Sequence, residues 1–560
     1  MTLAQYIVRK MEQAKVTDAF GVPGSVILNL LYEIDSSSQI NIHLNYHEQT
    51  AAYAACGYAQ CSQQLGVAYA TKGPGITNMI TSIADAYYDS SPTLFITAHS
   101  QINSNEKMRI ETDQELNIVP MVKNITKYAV KIDDLKYAKK EINQAFFCAQ
   151  SERKGPVLID VLSSLFKQEI DEEDNKVPEL QCENAIDEYS DYIFEEIQKS
   201  DKPILLIGDG VKQSGMSEYM KRFSNRYHIP ILSSRYAQDI MPNDDMYFGY
   251  VGSHATRYSN FILDKADLII AMGNRMAYPI SSNTFNDAIK NSKIIRIDID
   301  DSEFERKIPN SRNIKINLAQ LLPCLVQSNY TMEKKKEWIS VCKTIKEKLY
   351  DVDIDAPTKI ISGLLQQLNE KVTLVCDVGN NELWVSRAYA YSGIKNILIH
   401  SKSFKTVGCA IGKSIGVYYA TQNPVVCFVG DQGFQFNLQE LEYISQHKLP
   451  VLMVVCNNAS SGMLRMSEKR GGYSYCLHTD LESGYANPDF KSIANSYKLE
   501  YQKINVANYD DANIKNIKSG ILELTMDSNT EIKQYLPKGN PCQKFFPEID
   551  QKLYNYIEQL

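Results

Sequence analysis

Residues Pro424 to Asn458 constrain the fold more than any other stretch of the chain. An apolar, β-branched run (PVVCFVG) leads into the turn Asp431-Gln432-Gly433, and an amphipathic helical pattern spans about Asn437 to His447. Leu-Pro then opens a second apolar run that stops at Asn457-Asn458. This is a strand–helix–strand unit, and a right-handed crossover makes its strands parallel members of one sheet. Asp431 and Asn458 therefore emerge at carboxyl ends, where open α/β sheets bind ligands. The rest of the chain repeats the alternation of short β-rich runs and helical stretches, so the expected class is α/β with doubly wound parallel sheets.

At about 150 residues per domain, 560 residues suggest three or four domains. Two polar, acidic segments, Gln168 to Asp187 and Gln327 to Glu337, read as linkers. The expected organisation is an N-terminal domain over 1–167, a central Rossmann-like domain over 188–327, a third domain over 350–530 and a tail over 531–560. With 59 basic against 67 acidic residues and no basic block, nucleic acid is not an expected partner. Apolar runs fall far short of the roughly 18 to 20 residues a membrane helix needs. Leu3, Tyr6, Ile7 and Met11 carry helical spacing, so the N-terminus reads as a first helix and not as a signal. Twelve cysteines include no CxxC pair, and Cys376, Cys427 and Cys456 sit in apolar runs like reduced core thiols of a cytoplasmic protein.

Two glycine motifs fail as phosphate loops. In Gly408 to Ser414 (GCAIGKS) only three residues separate the glycines where a P-loop needs four. Gly408, Gly412 and Gly416 instead predict a helix with one small, close-packing face. Gly208-Asp209-Gly210 lacks the third glycine of a dinucleotide fingerprint and reads as a tight strand-to-helix turn.

A carboxylate and an amide oxygen at adjacent strand ends form a hard donor set suited to Mg²⁺, which keeps positions open for water and phosphate oxygens. The backbone N–H groups of Gln432 and Gly433, at a helix start, suit the same anion. The spacing of 27 residues from Asp431 to Asn458, within a GD…NN pattern, resembles the thiamine-diphosphate motif of the family that includes acetolactate synthase, pyruvate oxidase and benzoylformate decarboxylase. The first block is similar to the pyrimidine-binding domain of the acetolactate synthase large subunit through YHEQTAAYAACGYA (46–59), TKGPGITN (71–78) and ADAYYDSS (84–91). The middle block fits through PILLIGDGV (203–211), ADLIIAMGNR (266–275) and KIIRIDID (293–300), so the likeness extends from Leu3 to about Thr525.

The resemblance implies a thiamine-diphosphate-binding fold of pyrimidine-binding, central and diphosphate-binding domains. It implies Glu48 as the catalytic acid that bonds the aminopyrimidine ring nitrogen. A carboxyl at the start of an alanine-rich helix is expected to be poorly solvated and able to hold and pass that proton. Gly430, Asp431, Gln432, Gly433 and Asn458 would hold the diphosphate, with Asp431, Asn458 and Ser460 as the metal set. CDVGNNE (376–382) is similar to the family's DVGQHQ segment, which points Asn380 and Asn381 at the diphosphate. Lys405 would offer its carbonyl to the 4′-amino group, and Val407 would prop the cofactor's bend. In acetolactate synthases the central domain carries FAD, but the charged residues that follow GxR there are replaced by Met276-Ala277-Tyr278, which argues against FAD here.

Lys72, before GPG, and His99, where acetolactate synthases have a glutamine, point to a changed substrate pocket, with Lys72 a candidate receptor for an anionic group. The implied activity is decarboxylation of a 2-oxo acid with ligation to a second carbonyl. The alternatives are a non-ligating decarboxylase or an inactive regulatory or scaffolding relative. A homodimer or homotetramer with active sites between subunits is the implied assembly.

Overall fold

The computed structural model describes residues 1–100, 112–171, 185–277, 289–331, 335–352, 354–506, 514–515 and 517–560. Both expected linkers lie partly outside the described residues, at 172–184 and 332–334. The chain forms three six-stranded sheets in which every pairing between strands is parallel. The first comprises β1 (Asp18–Gly21), β2 (Asn41–Leu44), β3 (Gly66–Tyr69), β4 (Thr93–His99), β5 (Tyr128–Ile132) and β6 (Val157–Leu162), in the order β2-β1-β3-β4-β6-β5. The second comprises β7 (Pro203–Ile207), β8 (Ile231–Ser233), β9 (Tyr247–Tyr250), β10 (Leu268–Met272), β11 (Lys293–Asp298) and β12 (Ser311–Lys315), in the order β12-β11-β10-β7-β8-β9. The third comprises β13 (Thr373–Cys376), β14 (Leu398–His400), β15 (Val425–Gly430), β16 (Val451–Asn457), β17 (Glu500–Asn505) and β18 (Gly520–Thr525), in the order β14-β13-β15-β16-β18-β17. The second sheet reverses direction once, between β9 and β10, while the first and third reverse after their second strand and again at their last, β6 and β18 being inserted beside β4 and β16; all three are doubly wound, as the alternating pattern predicts.

Near-continuous apolar strands such as Leu-Ile-Ile-Ala-Met (β10) and Val-Val-Cys-Phe-Val (β15) are buried throughout, as strands covered on both faces by helices must be. The chain divides into two compact units. One contains Met1–Leu180, Lys371–Glu382 and Ile397–Thr530, with the first and third sheets; the other contains Gln181–Glu370, Leu383–Asn396 and Glu531–Leu560, with the second. In the latter unit the C-terminal segment 531–560 is integrated by Leu536, Cys542, Phe545 and Ile557, buried in one cluster with Tyr258 and Phe261.

Also in that unit, the turns after β7 and β10 bond to each other at the sheet's switch point. Gly208 N–H donates to the Met272 carbonyl and Gly210 N–H to the Gly273 carbonyl, both at 3.1 Å. These two amides are spent on the neighbouring turn. Met276 is buried, and Tyr278 lies outside the described residues.

In the first unit, helix Glu48–Ser62 and helix Cys409–Thr421 join the two sheets face to face. Of the small face read from Gly408, Gly412 and Gly416, the last two are where they meet; Gly408 instead caps the helix in a left-handed conformation, φ 84°. A β-carbon at Gly416 would collide with the Ala54 carbonyl, one at Gly57 with the Lys413 backbone, and one at Gly412 would lie 2.8 Å from Tyr53 Cβ. Lys413 stands in the same interface with no exposed side-chain area. Its Nζ lies 2.7 Å from Asp85 Oδ2 and 3.7 Å from Asp89 Oδ2, both on helix Ile80–Asp89 and both fully enclosed. Burial opposes the Lys413 charge, but the two carboxylates outweigh it and hold the ammonium protonated well above the ordinary lysine range.

Removing one partner of such a pair strands a buried charge, at a cost of about 3–5 kcal/mol. Lys413→Met is therefore expected to lose about that much stability in urea denaturation, and Asp85→Asn in the same chain to restore part of it. A loss below about 1 kcal/mol for Lys413→Met would contradict the buried pair.

Candidate active site

The unit built on the third sheet gathers most of the sequence-derived residues at the carboxyl ends of β13, β15 and β16. β15 and β16 are adjacent and parallel, in register from Val425 opposite Val451 to Gly430 opposite Cys456. The connection differs in detail from the sequence reading. A short helix, Asp431–Gln435, starts at the turn itself, and the second helix covers only Glu440–Gln446.

Asp431 is 3% exposed, and its Oδ1 accepts hydrogen bonds from the Tyr485 hydroxyl at 2.8 Å and Gln432 N–H at 2.9 Å. Its Oδ2 is buried without a hydrogen-bond partner. Burial pushes the carboxyl up to about 6, against the pull of Tyr485 and of the Gln432, Ser460 and Ala459 N–H groups.

The two asparagines at the end of β16 have separate roles. Asn457 is internal: its side chain donates to Glu523 at 2.7 Å and accepts from Ala459 N–H and the Asn487 amide. Asn458 faces Gly462 instead, where an added β-carbon would lie 2.8 Å from Asn458 Nδ2 and 2.7 Å from Asn380 Nδ2. Asn380 thus converges on the same point from the β13 side, and both its amide oxygen and nitrogen are buried and unpartnered. Ser460 is turned away, donating to the Thr479 carbonyl at 2.6 Å.

Asp377, missed in the sequence reading although it directly follows β13, organises the remaining loop. It is fully buried and accepts from Val378 N–H at 2.8 Å and from Gly408 N–H at 3.0 and 2.9 Å. Burial pushes its carboxyl up to about 7. Asn381 donates to the Asp377 carbonyl at 2.8 Å, with its Oδ1 3.5 Å from where Gly430 would carry a β-carbon. A β-carbon on Gly433 would approach Asp377 Oδ2 to 2.7 Å, so the turn after β15 must have glycine there. Lys405 adopts φ 61° and pairs with Glu382 at 2.5 Å, while Val407 is 41% exposed.

Glu48 opens helix Glu48–Ser62, whose N-cap His47 accepts Gln49 N–H on its Nδ1 at 3.1 Å. Its carboxylate accepts from Asn78 Nδ2 at 2.9 Å. It is half-buried, less enclosed than the poorly solvated setting expected from the alanine-rich helix.

The two residues expected near substrate are held by their own chain. Lys72 bonds Ser100 and lies 3.0 Å from Glu115 Oε2. Burial works against the Glu115 charge, yet Lys72, Ser100 and Thr112 together hold its carboxyl below the usual range. The Lys72 charge is therefore paired with Glu115. His99, 1% exposed, is clasped by Asp160 at 2.9 Å and Asp133 at 2.5 Å. Burial lowers its tendency to protonate, and the two carboxylates outweigh that and raise its pKa.

An Asp431 carboxylate oxygen and the Asn380 amide, both without partners, and the Asn458 amide that meets Asn380 at Gly462, make a donor set suited to an anion held through a hard cation. The fold and this donor set are those of a diphosphate-cofactor enzyme. The chain matches the thiamine pyrophosphate enzyme N-terminal TPP-binding domain over residues 1–121, the central domain over 191–325 and the C-terminal TPP-binding domain over 377–522. It is 31% identical to the acetolactate synthase large subunit of Lactococcus lactis subsp. lactis (strain IL1403) over 516 residues, covering 90% of this chain and 88% of that protein. It is 28% identical to the acetolactate synthase isozyme 2 large subunit of Escherichia coli (strain K12), covering 96% and 98%, and 29% identical to the large subunit of Cyanidium caldarium, covering 87% and 86%. The chain belongs to the thiamine pyrophosphate enzyme family. No helix among its described residues is long and apolar enough to cross a membrane.

Gly462→Ala tests the convergence of Asn380 and Asn458. The added methyl displaces both amides and is expected to weaken thiamine diphosphate binding about tenfold in calorimetry, a loss of about 1.4 kcal/mol, with the melting temperature unchanged. Binding equal to wild type would show that these amides do not hold the cofactor.

Proposed function

We propose that this chain is a Mg²⁺- and thiamine-diphosphate-dependent enzyme that decarboxylates a 2-oxo acid and joins the retained carbon unit to a second carbonyl compound, as the names of its acetolactate synthase relatives suggest. The observation that carries this reading is the set of unpartnered buried atoms, Asp431 Oδ2 and the Asn380 amide, beside Asn458 at the third sheet's edge. Asp431 and Asn458 would ligate the metal, with Ser460 beside them, and the Asn380 and Asn381 amides would serve the diphosphate. When bound, thiamine diphosphate supplies the electron sink for loss of CO2. The chain supplies orientation, exclusion of water, and the Glu48 carboxyl as the group that holds and moves a proton at a ring nitrogen.

Glu48 and Asp431 have separate bonding networks in the protomer, with Asn78 and with Tyr485. A second copy is the proposed source of the missing half of each site. The large apolar side chains Leu44, Tyr46, Tyr88, Phe404, Val407 and Phe436 are 41–54% exposed on this one unit, consistent with a surface that a homodimer would cover. Tyr88 and Phe404 stack in parallel with centroids 5.3 Å apart, giving that surface a rigid aromatic element.

Calorimetry with and without Mg²⁺, followed by product analysis from pyruvate and a panel of carbonyl acceptors, tests the proposal. Wild type is expected to bind the cofactor only with the metal and to form a ligated product. Glu48→Gln is expected to retain binding while turnover falls about 10²-fold or more. Accumulation of free aldehyde would make the enzyme a plain decarboxylase, and failure of wild type to bind would remove both enzymatic readings.

A further inference from the structure

Glu440 is the first residue of helix Glu440–Gln446, nine residues beyond Asp431, and it has no exposed area. Its carboxylate bonds another segment of the chain, the connection before Glu48. Its Oε1 accepts Tyr46 N–H at 2.9 Å and His47 N–H at 3.0 Å, and its Oε2 accepts the Asn45 side-chain amide at 3.2 Å. Asn45, Tyr46 and His47 are the whole connection between β2 and the helix that Glu48 opens. A short connection of this kind has backbone donors that neither strand nor helix satisfies, and leaving them buried and unpaired would cost free energy comparable to a lost hydrogen bond.

The neighbouring Asn437 reinforces the arrangement. Its Oδ1 accepts the Thr50 hydroxyl, in the first turn of the same helix, and its Nδ2 donates to the Gly408 carbonyl at 2.5 Å. Burial pushes the Glu440 carboxyl up to about 7 against the pull of its three donors, so a dry carboxyl is being maintained for these contacts alone.

We propose that Glu440 is a positioning residue for Glu48: by fixing the three-residue connection that precedes it, Glu440 sets the direction from which the Glu48 carboxyl addresses the cofactor. This rests on the reading that Glu48 acts on thiamine diphosphate. Glu440 touches neither cofactor nor substrate in this scheme, and its effect passes through Glu48.

Three measurements test it. In the cofactor-free protein, Glu440→Ala is expected to lose amide hydrogen-exchange protection at Tyr46 and His47 by about tenfold or more. With Mg²⁺, its affinity for thiamine diphosphate is expected to stay within about threefold of wild type, since the diphosphate residues are untouched, while kcat falls by up to about 10²-fold as misplacement of a reacting group would cause. Glu440→Gln, whose amide can still accept from Tyr46 and His47 and donate to a flipped Asn45, is expected to restore most of kcat. In the Glu48→Gln background, Glu440→Ala is expected to add little further loss. Should Glu440→Ala fail to fold, Glu440→Asp replaces it in the same cycle, because it keeps the charge and withdraws the acceptor.

Additive losses in the double variant, or full kcat despite lost protection at Tyr46 and His47, would overturn the proposal. Failure of the functional reading itself has a different signature: wild type without cofactor binding, or Glu48→Gln with undiminished turnover.

Discussion

The active-site unit depends on how closely two helices can approach. Helix Glu48–Ser62, which begins with the candidate acid, lies against helix Cys409–Thr421, which begins where the cofactor-supporting loop ends. Gly57, Gly412 and Gly416 allow backbone to meet backbone at positions where any β-carbon would strike Lys413, Tyr53 or Ala54. Close packing of this kind transmits displacement instead of absorbing it, because interiors at crystal-like density have few alternative arrangements. Glu48 and the loop from Ser401 to Gly408 are consequently set by one contact.

Charge is placed in that contact sparingly, two carboxylates facing one lysine. Asp85 accepts the Ser401 and Thr406 hydroxyls at 2.6 and 3.0 Å, and Asp89 accepts the N–H groups of Lys402 and Ser403. The loop that ends at Val407 and Gly408 is therefore shaped by two carboxylates of helix Ile80–Asp89, and Lys413 pairs with both from the other side. Glu440 works in the opposite direction, from the third sheet's helix to the connection before Glu48. Each half of the unit holds the other's functional loop. Asp431 Oδ2 and the Asn380 amide are among the buried atoms without a partner, and a metal and a phosphate would complete them.

Much of this was legible in the sequence because it rests on periodicity and spacing. The apolar runs, the crossover between Val425 and Asn457 and the small face of Gly412 and Gly416 all follow from local pattern, and the structure has them. What escaped rests on partners distant in sequence. Tyr485 bonds Asp431 across 54 positions, and Glu440 bonds Tyr46 across 394, and neither separation leaves a local mark. Lys413 did leave one, a lone cation among small and apolar residues in GCAIGKSIGV, which is the pattern of a charge buried against a partner. Lys72 and His99 stood out by residue type alone, and their carboxylate partners Glu115, Asp133 and Asp160 could not be inferred from spacing. Glu48 is half-exposed although its helix is alanine-rich, because the motif fixes where the helix starts and not what covers its first turn.

The central claim is that Glu48 meets the heterocyclic end of a cofactor whose diphosphate is held at Asp431. An experimental structure of the assembled protein with thiamine diphosphate and Mg²⁺ tests it most directly. The account predicts a Glu48 carboxyl oxygen within about 2.6–3.2 Å of an aminopyrimidine ring nitrogen, with the metal on Asp431 and Asn458 of a second copy. A bound cofactor whose ring lies away from every Glu48 in the assembly would contradict it.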